Sequence, residues 1–81
     1  MSNLYNRFEE FPRHHVTITP SNTVDLSHEM LVMAGSDGTM AVVDAWDTVI
    51  TYTVTSGTII PILAKRVNAT GTTVSPVIGL Y

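Results

Sequence analysis

The chain has 81 residues, four lysines plus arginines against seven aspartates plus glutamates, a formal net charge of -3 and no cysteine. That is room for one domain. It excludes a disulfide-stapled mini-protein and a cysteine–zinc module, leaves too little positive charge for a nucleic-acid binder working through a basic face, and holds no apolar run near the ~20 residues of a membrane helix.

The N-terminus, Met1 to Arg7, lacks the apolar stretch of a secretory leader, so none is expected. Residues 1–13 differ from the rest: Tyr5, Phe8 and Phe11 are three of the six aromatic residues, interleaved with Arg7, Glu9, Glu10, Pro12 and Arg13. Their spacing follows neither a strand nor a helix period, and predicts an extended arm with one helical turn around Asn6–Glu10.

From residue 14 onward β-branched residues dominate. Ten valines, six isoleucines and twelve threonines make up about a third of the whole chain. These side chains lose rotamer freedom in a helix and pack well on a pleated surface. The first strand is expected over His14–Thr19, stopped by Pro20, which has no N–H for a ladder. Ser21 to Asp25 is rich in side chains that bond their own backbone and reads as a turn. Glu29–Ala34 reads as a second strand, Gly35–Gly38 as a hairpin turn, and Thr39–Asp44 as the returning third strand.

Asp44–Asp47 is the next turn, carrying Trp46. Thr48–Thr55 alternates, with Ile50, Tyr52 and Val54 on one face and Thr51, Thr53 and Thr55 on the other. Ser56–Thr58 turns the chain into Ile59–Ala64, where Pro61 marks a bend or an edge strand; Lys65–Ala69 is expected to continue that strand. Thr70-Gly71 turns, and Thr72–Tyr81, interrupted by Pro76, is the last strand. Turns every 8–15 residues or so suit a small antiparallel β-sandwich or barrel. The expected organisation is an N-terminal arm, 1–13, and a β domain, 14–81.

The chemistry-bearing residues favour no enzyme. His14 and His15 are neighbours in a strand, so they point to opposite faces and are poorly placed to clasp one metal ion. His28 beside Asp25 and Glu29 could carry a metal site or a small hydrolase, but a capped loop explains the same residues. Asp37, Asp44 and Asp47 fall in or beside turns, where aspartate is ordinary. No nucleophile elbow, phosphate loop or dinucleotide fingerprint occurs, so no catalytic, metal or cofactor-binding residue is expected, nor a cofactor. Asn68-Ala69-Thr70 matches the N-glycosylation tripeptide, yet reads more simply as a strand end before a glycine turn. Trp46 and Tyr52 could stack on a sugar in a carbohydrate-binding module. Lys65-Arg66, the one basic pair, either protects a strand edge or meets an acidic neighbouring subunit.

So small a chain buries little, and ordering it costs on the order of 100 kcal/mol of conformational entropy. With disulfides excluded and no metal cluster evident, association with other chains is the remaining source of stability. The candidate interface residues are Tyr5, Phe8, Phe11, Arg13, Trp46, Lys65 and Arg66; the aromatics and arginines among them are the types that dominate interface energies.

Four segments taken in order carry a resemblance. They are Pro12-Arg13-His14 with Ile18-Thr19-Pro20-Ser21-Asn22-Thr23-Val24-Asp25-Leu26, then Gly35 to Val43, then Gly57 to Ile62, then Arg66-Val67-Asn68-Ala69-Thr70-Gly71-Thr72-Thr73 with the terminal Tyr81. From residue 12 to 81 the chain resembles the small spike-base proteins of gene transfer agents and related tailed bacteriophages. It departs from them at Ser27-His28, where family members tend to carry a proline, and at Met30, where they often carry arginine. The resemblance implies a non-enzymatic virion structural protein on the outer surface of a phage-like capsid, made in the bacterial host cytoplasm. Its partners would be the major capsid protein, a spike or fibre protein, and further copies of itself, as a pentamer at five-fold vertices in preference to a trimer, with no nucleic acid or membrane. A trimeric cement protein and a tail or baseplate component are the neighbouring alternatives.

Overall fold

The computed structural model describes residues 12–81. Seven strands occur in chain order: β1 (His15–Ile18), β2 (Met30–Ala34), β3 (Gly38–Val43), β4 (Val49–Val54), β5 (Ile59–Ala64), β6 (Arg66–Asn68) and β7 (Val77–Leu80). They form two antiparallel sheets, a four-stranded one ordered β1-β7-β2-β5 and a three-stranded one ordered β4-β3-β6. The all-β expectation holds, and the expected arm (residues 1–13, with its helical turn at Asn6–Glu10) lies almost entirely outside the described residues.

Both sheets feed one core. Ile18, Met30, Val32, Ala34, Ile60, Ala64 and Val77 come from the larger sheet and Met40, Val42, Val54 and Val67 from the smaller, with Val74 added from a loop. Alternation does this work on β2, where Met30, Val32 and Ala34 point inward and Leu31 and Met33 outward. On β3 the alternation ends in four consecutive buried residues, Met40 to Val43. The reverse face of β3 is covered too: Ala41 lies under the 69–73 loop, so close that a Cβ on Gly71 would stand 3.3 Å from the Ala41 Cβ. Gly71 has φ +91°, a conformation glycine adopts without strain.

Three expectations are corrected. The Gly35–Gly38 turn closes no hairpin, because β2 and β3 lie in different sheets; the Gly35 N–H turns to the Pro76 carbonyl (2.8 Å). Residues 65–69 do not continue β5. The chain leaves the larger sheet at Lys65, whose N–H bonds the Val43 carbonyl (2.8 Å), and Arg66–Asn68 becomes the edge strand β6 of the smaller one. The last strand is Val77–Leu80 alone. Thr73 and Val74 donate to the Thr39 carbonyl (2.9 and 3.3 Å), so residues 72–81 serve first one sheet and then the other. The Asp44–Asp47 turn does close a hairpin, between β3 and β4. Pro61 lies on an edge strand whose register against β2 shifts between Met30 and Val32, so the five residues Ile60 to Ala64 oppose the three from Met30 to Val32.

Candidate interaction surface

The two strings that carry the family resemblance are packed on each other. Ser21 opens its loop by accepting the Thr23 and Val24 N–H groups on its hydroxyl (3.2 and 3.1 Å). The loop then runs beside β6: Ser21 N–H donates to the Val67 carbonyl and Leu26 N–H to the Lys65 carbonyl, both at 2.9 Å. Asn22 brackets Thr70, donating to its hydroxyl (2.9 Å) and accepting its N–H (3.0 Å). Arg66 Nη1 meets Asp25 Oδ1 at 2.7 Å and its Nε donates to Asn68 Oδ1 at 3.0 Å. Thr72 and Thr73 accept the Ala41 and Thr39 N–H groups (3.0 and 2.9 Å). Each polar residue of both strings that makes these bonds therefore fixes a loop or sheathes the β6 edge, a scaffolding role.

The acids behave as turn and pairing residues. Asp44 Oδ1 accepts the Trp46 and Thr48 N–H groups (2.8 and 2.9 Å), and Asp37 Oδ1 accepts Ser56 N–H (2.8 Å). Asp47, at φ +65°, is paired with Lys65 across the exposed surface. That hydrogen bond and the ammonium charge hold the Asp47 carboxyl below its ordinary range, and the same hydrogen bond raises the Lys65 ammonium above its own. Among the described residues no three histidines or carboxylates gather as a metal site. His28 instead stacks on Tyr81 (ring centroids 4.5 Å apart, 26° between planes), and His14 meets the same ring edge-on (5.0 Å, 69°). Arg13 and His14 N–H groups both donate to the Tyr81 carbonyl (2.9 and 2.7 Å), fastening the start of the described chain to its end.

Among the described residues, a surface that no internal contact explains lies along β4 and β5. These strands are joined at one end by the Thr55–Thr58 turn and tied at the other by the Asp47–Lys65 pair. Between those ties they belong to different sheets and share no ladder. Of eight exposed large hydrophobic residues among those described, six lie on this seam or the turn leading into it: Trp46, Val49, Ile50, Ile59, Ile62 and Leu63. Trp46 is 84 % exposed, held outward by the Asp44 turn, and with Ile62 and Leu63 it walls a groove of about 450 Å3 rimmed by Glu29 and Asp44. Ile50 shares the inward side of β4 with buried Val54, yet remains 50 % exposed because nothing among the described residues covers the sheet edge.

The expected interface residues thus separate. Tyr5, Phe8 and Phe11 lie outside the described residues. Arg13 is exposed and lines an open cleft of about 340 Å3 with Pro12, His14, His15 and Leu80. Trp46 stands on the seam, while Lys65 and Arg66 are paired with carboxylates of their own chain. The seam residues Val49, Ile50, Ile59, Ile62 and Leu63 went unnoticed in the sequence. The available signal was β5, apolar at every position from Ile59 to Ala64: a strand apolar on both faces is either covered on both or waiting for cover.

No protein-family model matches the chain, and no curated protein matches it. Among solved structures, a chain in the capsid of a native GTA (gene transfer agent) particle computed with C5 symmetry is similar in fold, at a TM-score of 0.81, with 30 % sequence identity over 99 % of this chain and 100 % of that one. With that identity sustained across the full length of both, the chain belongs to the family of that gene-transfer-agent capsid component.

Proposed function

We propose that this chain is a structural protein of a phage-like particle, standing on the outer surface of the capsid as the base of a head spike or fibre. The observation that carries the reading is the full-length likeness to a chain of a gene-transfer-agent capsid. The physical features agree with an adhesive role. The four described aspartates are engaged in turns and ion pairs, while an apolar seam is exposed on the surface among the described residues. In this reading the chain has two parts, an aromatic arm, 1–13, gripping the shell or an adjacent copy, and a β domain, 14–81, presenting the seam. The likeness to a chain of a GTA capsid computed with C5 symmetry supports an arrangement of copies about a five-fold vertex. The major capsid protein below and a fibre protein above are the partners, and the chain works without catalysis.

Electron microscopy of particles purified with and without this protein tests the reading. Density at the outer vertices that vanishes with the protein supports it. Unchanged particles, with the protein free in the host cytosol, overturn it.

A further inference from the structure

We infer that the seam between β4 and β5 is the receptor for residues 1–11 of a neighbouring copy, which enter it as an added extended segment. The inference rests on the proposed role in an assembly of copies and names the contact that builds it.

On the β4 side the seam lacks the devices that protect strand edges. β6 is sheathed by the Ser21–Leu26 loop, and the β5 ladder is broken by a register shift beside Pro61. β4 has six residues, Val-Ile-Thr-Tyr-Thr-Val, with no charge, no proline and no irregularity in its register with β3. Such an edge offers a row of backbone donors and acceptors to an incoming strand. Ile50 on β4, and Ile62 and Leu63 on β5, offer exposed apolar side chains.

The occupant follows from what the chain holds outside the described residues. Residues 1–11 contain Leu4, Tyr5, Phe8 and Phe11, apolar side chains of the kind the seam leaves exposed; Arg7 among them is outnumbered by Glu9 and Glu10, so the match is apolar and not one of charge.

The neighbour is favoured over the chain's own arm by where the two features lie. The described chain begins against β1, one edge of the four-stranded sheet, and the seam borders β5, the other edge. Three strand spacings, about 14 Å, separate them. Eleven extended residues span roughly 36 Å, so a segment leaving one edge reaches the opposite edge of a copy placed alongside. Its own seam would require it to cross the sheet face athwart the strands and then turn. Donor and receptor on opposite edges make a head-to-tail contact, the type that closes into rings.

The absence of cysteine permits a direct test. Full-length chains carrying one of Tyr5→Cys, Phe8→Cys or Phe11→Cys are mixed with full-length Leu63→Cys chains and oxidised. A covalent heterodimer from at least one pairing is expected, blocked by excess unmodified chain. The doubly substituted chains distinguish the own arm: closure within a monomer, with no heterodimer in the mixture, overturns the inference, as does the absence of any cross-link. Particle occupancy is scored separately. Protein present at vertices without cross-linking defeats this contact and spares the capsid role; cross-linking by a protein absent from particles does the reverse.

Discussion

Gly79 lies mid-strand in β7, opposite Val16 on one side and Val32 on the other. Glycine weakens a strand, and here the reason for it is space. A Cβ at this position would stand 2.1 Å from Met30 Sδ and 2.9 Å from Ile18 Cδ1. Gly79→Ala therefore sets two effects against each other. Restricting the unfolded chain stabilises by about 0.4–1 kcal/mol. Forcing a methyl into a filled core costs about 1–3 kcal/mol. The core term wins, because Met30 and Ile18 are 2 % and 5 % exposed and have no open side to retreat to. The expected net loss is about 1–2 kcal/mol, a fall in Tm of about 4–16 °C for a domain of this size. Urea unfolding at fixed chain concentration measures it. Met30→Ala alone removes buried volume and costs about 2–5 kcal/mol. Combined with Gly79→Ala it costs less than the sum, since the added methyl then occupies the vacated space. A Gly79→Ala chain as stable as the parent, with no coupling to Met30, refutes the packing argument.

Other outcomes follow from the same contacts. The Asp47 carboxyl, depressed by the Lys65 hydrogen bond and charge, gives stability that is present above its unfolded value of 3.8 and lost as pH falls through the lower folded value. Lys65, raised, gives stability present below 10.5 and lost as pH climbs past its folded value. An NMR titration of Asp47 that does not move upward in Lys65→Met argues against the pair. A double-mutant cycle on Asp25 and Arg66 should give a coupling of about 0.2–1 kcal/mol by denaturant unfolding; Arg66→Ala alone should cost more than Asp25→Ala, since it also loses the bond to Asn68. Trp46→Ala should leave monomer stability within about 0.5 kcal/mol, the ring being exposed, while weakening self-association seen by native mass spectrometry; equal association in both chains removes Trp46 from the interface.

The strands were legible in the chain because their physics is local. Alternation over Thr48–Thr55, the β-branched runs at 15–18 and 59–64 and the apolar run at 30–34 each met the structure within a residue or two. The turns at Asp44–Asp47 and Thr70-Gly71 were likewise written in side chains that bond their own backbone or accept a left-handed conformation. Which strand pairs with which was not local. The Gly35–Gly38 turn has the chemistry of a hairpin and yet carries the chain from one sheet to the other. Lys65 has no sequence mark of a sheet change; its N–H reaches Val43 only once both sheets share a core. The seam arises the same way. The sequence by itself determined the apolar character of Ile50, Ile62 and Leu63. Tertiary structure alone decided that β4 and β5 end at the edges of different sheets, because edge position depends on how many partners the rest of the chain supplies, and here it supplies one to each strand.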